Sequence, residues 1–265
     1  KMLVILAANH YQLMAVILHN GNKMNFENKN IIIIGGSSGI GRGIASSYID
    51  KGANVYITGT RDKIDDYDEE ISENIKKCTY QKLDLSNHNN LEKLSLPFED
   101  INTLVCSQGI VAYDQKEFEM ETFKKVIDIN LNSVMASCTF FQENLSKNNG
   151  SIVIIGSGAS FHAVKGNPAY SASKGGLLTL IKTLAEAWAR DGIRVNGIAP
   201  GYVATKLTEV TFGNEKRYEN SLKGIPLRRW GSPEDMGEVC CFLSSDGASY
   251  VTGQMLTVDG GMSLS

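Results

Sequence analysis

What this chain has little of narrows its class before any motif is found. It carries only five cysteines in 265 residues, Cys78, Cys106, Cys138, Cys240 and Cys241, with no C-x-x-C pair and no histidine at ligand spacing. A scattered, odd set of this kind is neither a disulfide framework nor a metal site. It reads as buried thiols in a reducing compartment, which for this protein means the cytoplasm. A basic block is also missing and the net charge is −3, so nothing points to nucleic acid as a partner. No apolar run is long enough to cross a bilayer: KMLVILAANHYQLMAVILHNGNK is broken at Asn9, His10, Tyr11 and Gln12. That stretch shows no clear small-x-small cleavage site. Residues 1–23 are expected to be an extension outside the fold, and residues 24–265 the domain, because the largely polar stretch from Met24 to Asn30 lies just ahead of the first strand.

Repeats and low-complexity linkers are absent too, so the rest is read as one domain. From Ile31 the pattern alternates. Ile31–Ile34 is a β-branched run ended by Gly35-Gly36, which makes it a buried strand. Further strands are expected at Val55–Thr58, Tyr80–Asp84, Thr103–Cys106, Ser151–Ile155, Arg194–Ile198 and Met255–Val258. Helices are expected over Ile40–Lys51, Phe118–Leu145 with a break near its start, Tyr170–Arg190, and from the Ser232-Pro233-Glu234-Asp235 start to about Ser245. Continuous apolar strands between helices mean a parallel sheet covered on both faces: an α/β, doubly wound, Rossmann-like domain with seven strands.

Two places in this frame carry chemistry. The first is Gly35-Gly36-Ser37-Ser38-Gly39-Ile40-Gly41, which follows the first strand and opens the first helix. Glycines there permit a tight turn, and the unpaired N–H groups of the helix then face a phosphate. Near the end of the second strand a dinucleotide site for NAD carries an acid; here the strand ends Thr58-Gly59-Thr60-Arg61, and Arg42 follows the loop. Arg42 and Arg61 without a well-placed carboxylate favour a 2′-phosphate, hence NADP(H) over NAD(H). The second is Tyr170-Ser171-Ala172-Ser173-Lys174, in which Tyr170 and Lys174 share a helix face. An ammonium beside a phenol favours the phenolate and should pull its pKa down from about 10. Ser157, just past the fifth strand, can donate to a carbonyl oxygen.

Taken in order, GGSSGIG (35–41), LDLS (83–86), INL (129–131), Ser157, YSASK (170–174), RVNGIAPGYVAT (194–205) and TGQMLTVDGG (252–261) resemble the classical short-chain dehydrogenase/reductases over Asn25–Gly261. The resemblance implies a nicotinamide cofactor and interconversion of a carbonyl and a secondary alcohol. It gives Tyr170 the acid/base role, Lys174 the nicotinamide ribose, Ser157 the substrate carbonyl, and Asn130 a water in a proton relay. It also implies cofactor contacts from Gly35, Ser37, Ser38, Gly39, Ile40, Gly41, Asp84, Leu85, Gly109, Pro200, Gly201, Val203 and Thr205, and a homotetramer or homodimer. One departure stands out: Cys106-Ser107-Gln108-Gly109 replaces Asn-Asn-Ala-Gly. Lys206–Gly224 is expected to form a lid. The closing segment is similar to both 3-oxoacyl-thioester reductases and sugar or polyol dehydrogenases, and a catalytically silent nucleotide-binding scaffold is the alternative from another class.

Overall fold

The computed structural model describes residues 24–67 and 75–264. The expected extension over residues 1–23 lies outside the described residues. Seven strands form one parallel sheet: β1 Asn30–Ile34, β2 Asn54–Gly59, β3 Thr79–Lys82, β4 Thr103–Cys106, β5 Ser151–Ile155, β6 Arg194–Pro200 and β7 Met255–Val258. Their order is β3-β2-β1-β4-β5-β6-β7, and Ile31 lies between Val55 and Thr103, in register with both.

The isoleucine run is explained by its two neighbours. Ile32 and Ile34 point into one core with Leu104, Ile152, Phe141 and Leu177, while Ile31 and Ile33 point into the other with Val105, Val153, Ile44 and Leu243. A strand with helices on both faces has no polar side, which is why it reads as continuous rather than alternating. The first core is closed by helices Ser133–Ser146 and Pro168–Trp188, the second by Gly39–Ile49 and Pro233–Ser244. The last two helices cross closely. A Cβ at Gly43 would lie 2.3 Å from Pro233 Cβ, and one at Gly237 would lie 2.2 Å from Ser47 Oγ.

Two expectations shift. The third strand runs Thr79–Lys82 rather than Tyr80–Asp84, because Ser86 N–H and Asn90 draw Asp84 into a turn. The long middle helix breaks near its start as expected, at extended Glu119, and carries a further irregularity that was not expected. After the 3₁₀ turn Lys116–Phe118, the helix Met120–Ile127 passes through a π turn at Asp128–Asn132 and continues as Ser133–Ser146. No proline or glycine marks that turn in the sequence. It faces Asn130 inward, fully buried.

Strand order reverses between β1 and β4, and ligands of open α/β sheets bind in the crevice outside the carboxyl ends at such a point. Gly35, Thr60, Asp84, Gly109, Ser157 and Gly201 all follow those ends. Among the described residues no helix is long and apolar enough to cross a membrane.

Candidate active site

Close backbone contacts shape the glycine loop. Gly35 has φ +77°, and a Cβ there would come within 2.9 Å of the Gln108 nitrogen; at Gly41 it would lie 2.2 Å from the Gly35 oxygen. The turn therefore lies flat across the ends of β1 and β4 and brings the first N–H groups of helix Gly39–Ile49 to the cleft. Ser37 is buried under it, and Ser38 occupies the N-cap position with no side-chain cap bond. Ile40 packs against the core and Arg42 follows on the same helix.

At the end of β2, the N–H groups of Thr60 and Arg61 both donate to the Tyr67 hydroxyl, at 2.9 and 3.2 Å. The Arg61 guanidinium lies 4.7 Å from the centre of the Tyr67 ring. Burial alone would raise the Tyr67 phenol, but hydrogen bonding with Ser37, the Arg61 main chain, Tyr80 and Thr60 brings it below its ordinary value. These main-chain donors are taken by the Tyr67 oxygen, so the group that suits a 2′-phosphate here is the Arg61 guanidinium at the end of β2. Sequence reasoning missed Tyr67, since nothing local ties it to Ser37 thirty positions earlier. Asp84 is exposed beyond β3, and the Leu85 side chain belongs to the core.

The altered segment after β4 keeps the sheet intact. Ser107 N–H donates to Ile34 O at 2.9 Å, and Gln108 Nε2 to Ser133 Oγ at 3.2 Å, while Gln108 Oε1 is buried without a hydrogen-bond partner. Gly109 borders open space: a Cβ there would stand 3.5 Å from Asn130 Oδ1 and 3.7 Å from Lys174 Nζ. Pro200 ends β6, Gly201 packs flat against Asp259, Val203 is buried, and Thr205 Cγ2 would meet a Cβ on Gly39 at 3.3 Å. The 200–205 segment and the glycine loop thus form two walls of one cleft.

Its floor holds the tyrosine and the lysine. Tyr170 lies in the first turn of helix Pro168–Trp188 with its phenol beside Ser157, which begins the turn after β5 and accepts Ala159 N–H at 3.1 Å. Lys174 is 4 % exposed. Its Nζ donates to Ile155 O at 2.8 Å and lies 5.7 Å from the Tyr170 ring centre. Burial pushes this ammonium down to about 8. The expected lowering of the phenol is not met by the protein groups: burial pushes Tyr170 up, the Ser157 hydrogen bond opposes it, and Tyr113 and Glu117 add to the rise. A lysine whose own charge is disfavoured is a weak counter-ion, so desolvation prevails.

Asn130 borders Gly109 as Lys174 does, but both its amide protons are taken. Nδ2 donates to Ile110 O at 2.9 Å and to Ser173 Oγ at 3.1 Å, while Oδ1 accepts Ile110 N–H at 2.8 Å. Its side chain clasps the loop after β4.

The expected lid segment forms the 3₁₀ turn Lys206–Thr208 and the short helices Glu209–Phe212 and Glu215–Lys223. Trp230 stacks on Tyr202 at 4.9 Å, with Phe212 and Tyr218 at 5.5 and 5.3 Å, and donates Nε1–H to Ser221 Oγ at 2.7 Å. Trp230 is thus the buried anchor of this segment. Tyr113 donates its hydroxyl to Leu207 O from the opposite side. His162 is exposed. All five cysteines are free thiols, four of them buried, and burial pushes Cys78 and Cys240 up to about 12, far from reactive.

A family model described as enoyl-(acyl carrier protein) reductase matches residues 35–263. The chain is a short-chain dehydrogenase/reductase. Among the relatives of this family member, a 2-dehydro-3-deoxy-D-gluconate 5-dehydrogenase of Bacillus subtilis is 34% identical over 89% of this chain and 95% of that protein. A 3-oxoacyl-[acyl-carrier-protein] reductase of Chlamydia muridarum is 34% identical over 89% of this chain and 97% of its own. A crystal structure from Agrobacterium tumefaciens, assigned as a 2-deoxy-D-gluconate 3-dehydrogenase and holding NADP, superposes with a TM-score of 0.80 at 32% identity, over 92% of this chain and 100% of that one.

Proposed function

We propose that this short-chain dehydrogenase/reductase reduces a ketone, or oxidises the matching secondary alcohol, with NADP(H) preferred over NAD(H) and Tyr170 as the acid/base. The observation that carries this reading is the grouping of Tyr170, Ser157 and Lys174 at the end of β5, with Lys174 Nζ 5.7 Å from the Tyr170 ring centre and tethered to Ile155 O, at the same end of the sheet as Gly35–Gly41 and Pro200–Thr205. The glycine loop, the small side of Gly109 and the Arg61 guanidinium at the end of β2 fit a nicotinamide dinucleotide with a 2′-phosphate. When bound, it supplies or accepts the hydride. Ser157 and Tyr170 hydrogen-bond the substrate oxygen, and Tyr170 passes its proton to the oxygen as negative charge develops there. Burial favours the proton-bearing phenol, which is the form needed for reduction. Lys174 re-supplies the proton; its value of about 8 suits exchange near neutral pH. Asn130 holds the neighbouring loop in place.

The relatives support two substrate classes equally, sugar acids and acyl thioesters, both at 34% identity. NADPH and NADH oxidation is measured against 5-keto-D-gluconate, acetoacetyl-coenzyme A and simple ketones. Tyr170→Phe should lower turnover by about 10²–10⁴-fold with the fold retained; full activity in that variant refutes the assignment.

Association into a homodimer or homotetramer is part of the same reading. Exposed Met135 and Phe140 on helix Ser133–Ser146, and Tyr250 and Leu264 near the C-terminus, supply apolar surface for it. Light scattering on the purified chain measures the mass directly. The free thiols support a reducing, cytoplasmic setting.

A further inference from the structure

Glu117 is a buried carboxylate that the mechanism above leaves without work. It is 0 % exposed, on the 3₁₀ turn Lys116–Phe118, and no ion pair among the described residues involves it. Three donors converge on its two oxygens. Ala112 N–H reaches Oε1 at 3.0 Å, Asn167 Nδ2 reaches Oε1 at 3.2 Å, and Tyr170 N–H reaches Oε2 at 2.8 Å. An ionised carboxylate accepts only, and this arrangement of donors matches that form.

Its placement has a local cost. Asp114 and Gln115, just before the turn, have φ of 58° and 60°, a region sparsely populated by residues with a Cβ. The strained pair turns the chain so that Glu117 faces inward under the first turn of the Tyr170 helix. Asn167, at the N-cap of that helix, makes no side-chain cap bond; its amide holds Ala112 O at 2.9 Å and Glu117 instead. The first-turn N–H of Tyr170 is therefore capped from another element. Asn130 grips the same loop at Ile110.

We propose that Glu117 is a positioning residue for the proton transfer: its buried carboxylate fixes Tyr170 by the main chain and adds a negative charge on that side of the phenol. The proposal rests on Tyr170 being the acid/base. The titratable groups facing Tyr170 are Glu117 and Tyr113 from the loop and Lys174 from its own helix. Glu117 acts against ionisation of Tyr170, as it does, after burial, at Tyr113.

Ultraviolet titration of wild type and Glu117→Gln, each against its own Tyr170→Phe partner, isolates the Tyr170 phenolate signal without substrate. Removing the negative charge stabilises the phenolate, so this signal should appear at lower pH in Glu117→Gln. Glu117→Asp keeps the charge and is too short to hold the main chain, so its signal should stay where wild type has it. With NADPH and 5-keto-D-gluconate or acetoacetyl-coenzyme A, whichever is turned over, kcat in both variants should fall by about 10–100-fold with KM little changed, the scale of a misplaced reacting group. Coincident titrations of wild type and Glu117→Gln overturn the inference. If that variant fails to fold, wild-type kcat in Glu117→Asp overturns it. Should Tyr170→Phe remain active, the acid/base assignment fails instead, and the titrations still report on Glu117.

Discussion

Lys174 Nζ donates to the Ile155 oxygen at 2.8 Å while standing 5.7 Å from the centre of the Tyr170 ring. The lysine is thus tethered to the end of β5 and approaches the phenol from a fixed direction. Its burial has a thermodynamic consequence that can be measured apart from catalysis.

The folded value of Lys174 is about 8, below the ordinary 10.5. Between those pH values the unfolded chain binds more protons at this site, so stability rises with pH in that window. The penalty of burying the ammonium is fully present below about 8 and relieved as pH rises toward 10.5. Wild type should therefore gain stability relative to Lys174→Met between pH ~7 and ~10, by on the order of 2–3 kcal/mol. Thermal melts of both proteins across that range check it; a constant difference contradicts the placement.

The Arg61 guanidinium at the end of β2 predicts the coenzyme preference. Arg61→Ala should weaken NADPH binding by about 10–100-fold, the worth of one charge-assisted contact, and leave NADH nearly unchanged. Fluorescence titration with each coenzyme decides this, and equal loss for both counts against a 2′-phosphate at this point.

Gly109→Ala adds a methyl at ordinary contact distances of 3.5 Å from Asn130 Oδ1 and 3.7 Å from Lys174 Nζ. The melting temperature should barely move, since surface or open-space changes typically stay within about 0.5 kcal/mol. Coenzyme affinity should drop about tenfold or more, because the methyl takes space assigned to the coenzyme. A variant that binds NADPH as wild type does would move the coenzyme elsewhere in the cleft.

Gly43→Ala has the opposite signature. Its Cβ would lie 2.3 Å from Pro233 Cβ, so the helices Gly39–Ile49 and Pro233–Ser244 must separate. The expected loss is about 1–3 kcal/mol of stability, with turnover per folded molecule retained at temperatures below the transition. Chemical denaturation alongside an activity assay separates the two.

Local signals made most of the fold legible. Ile31–Ile34 and Ser151–Ile155 announce buried parallel strands, because helices on both faces leave them no polar side. The glycine loop and the Tyr170–Lys174 spacing depend only on neighbours within a turn. What escaped depends on partners far along the chain: Glu117 under Tyr170 N–H, Tyr67 against Ser37, Gly43 against Pro233, and the ring cluster of Tyr202, Phe212, Tyr218 and Trp230. The effect of Lys174 on Tyr170 escapes a sequence for a related reason. Proximity is visible in a sequence, whereas the burial that outweighs it belongs to the folded state.

The turn at Asp128–Asn132 carries one surplus residue relative to a regular helix. Each residue of an α-helix advances it by about 100°, so the surplus acts as a phase shift between Met120–Ile127 and Ser133–Ser146. Excising a single residue there would let the two segments merge into one uniform rod. Asn130 would then rotate off Ile110, and the loop carrying Glu117 would lose its second tether while every strand of the sheet stayed paired.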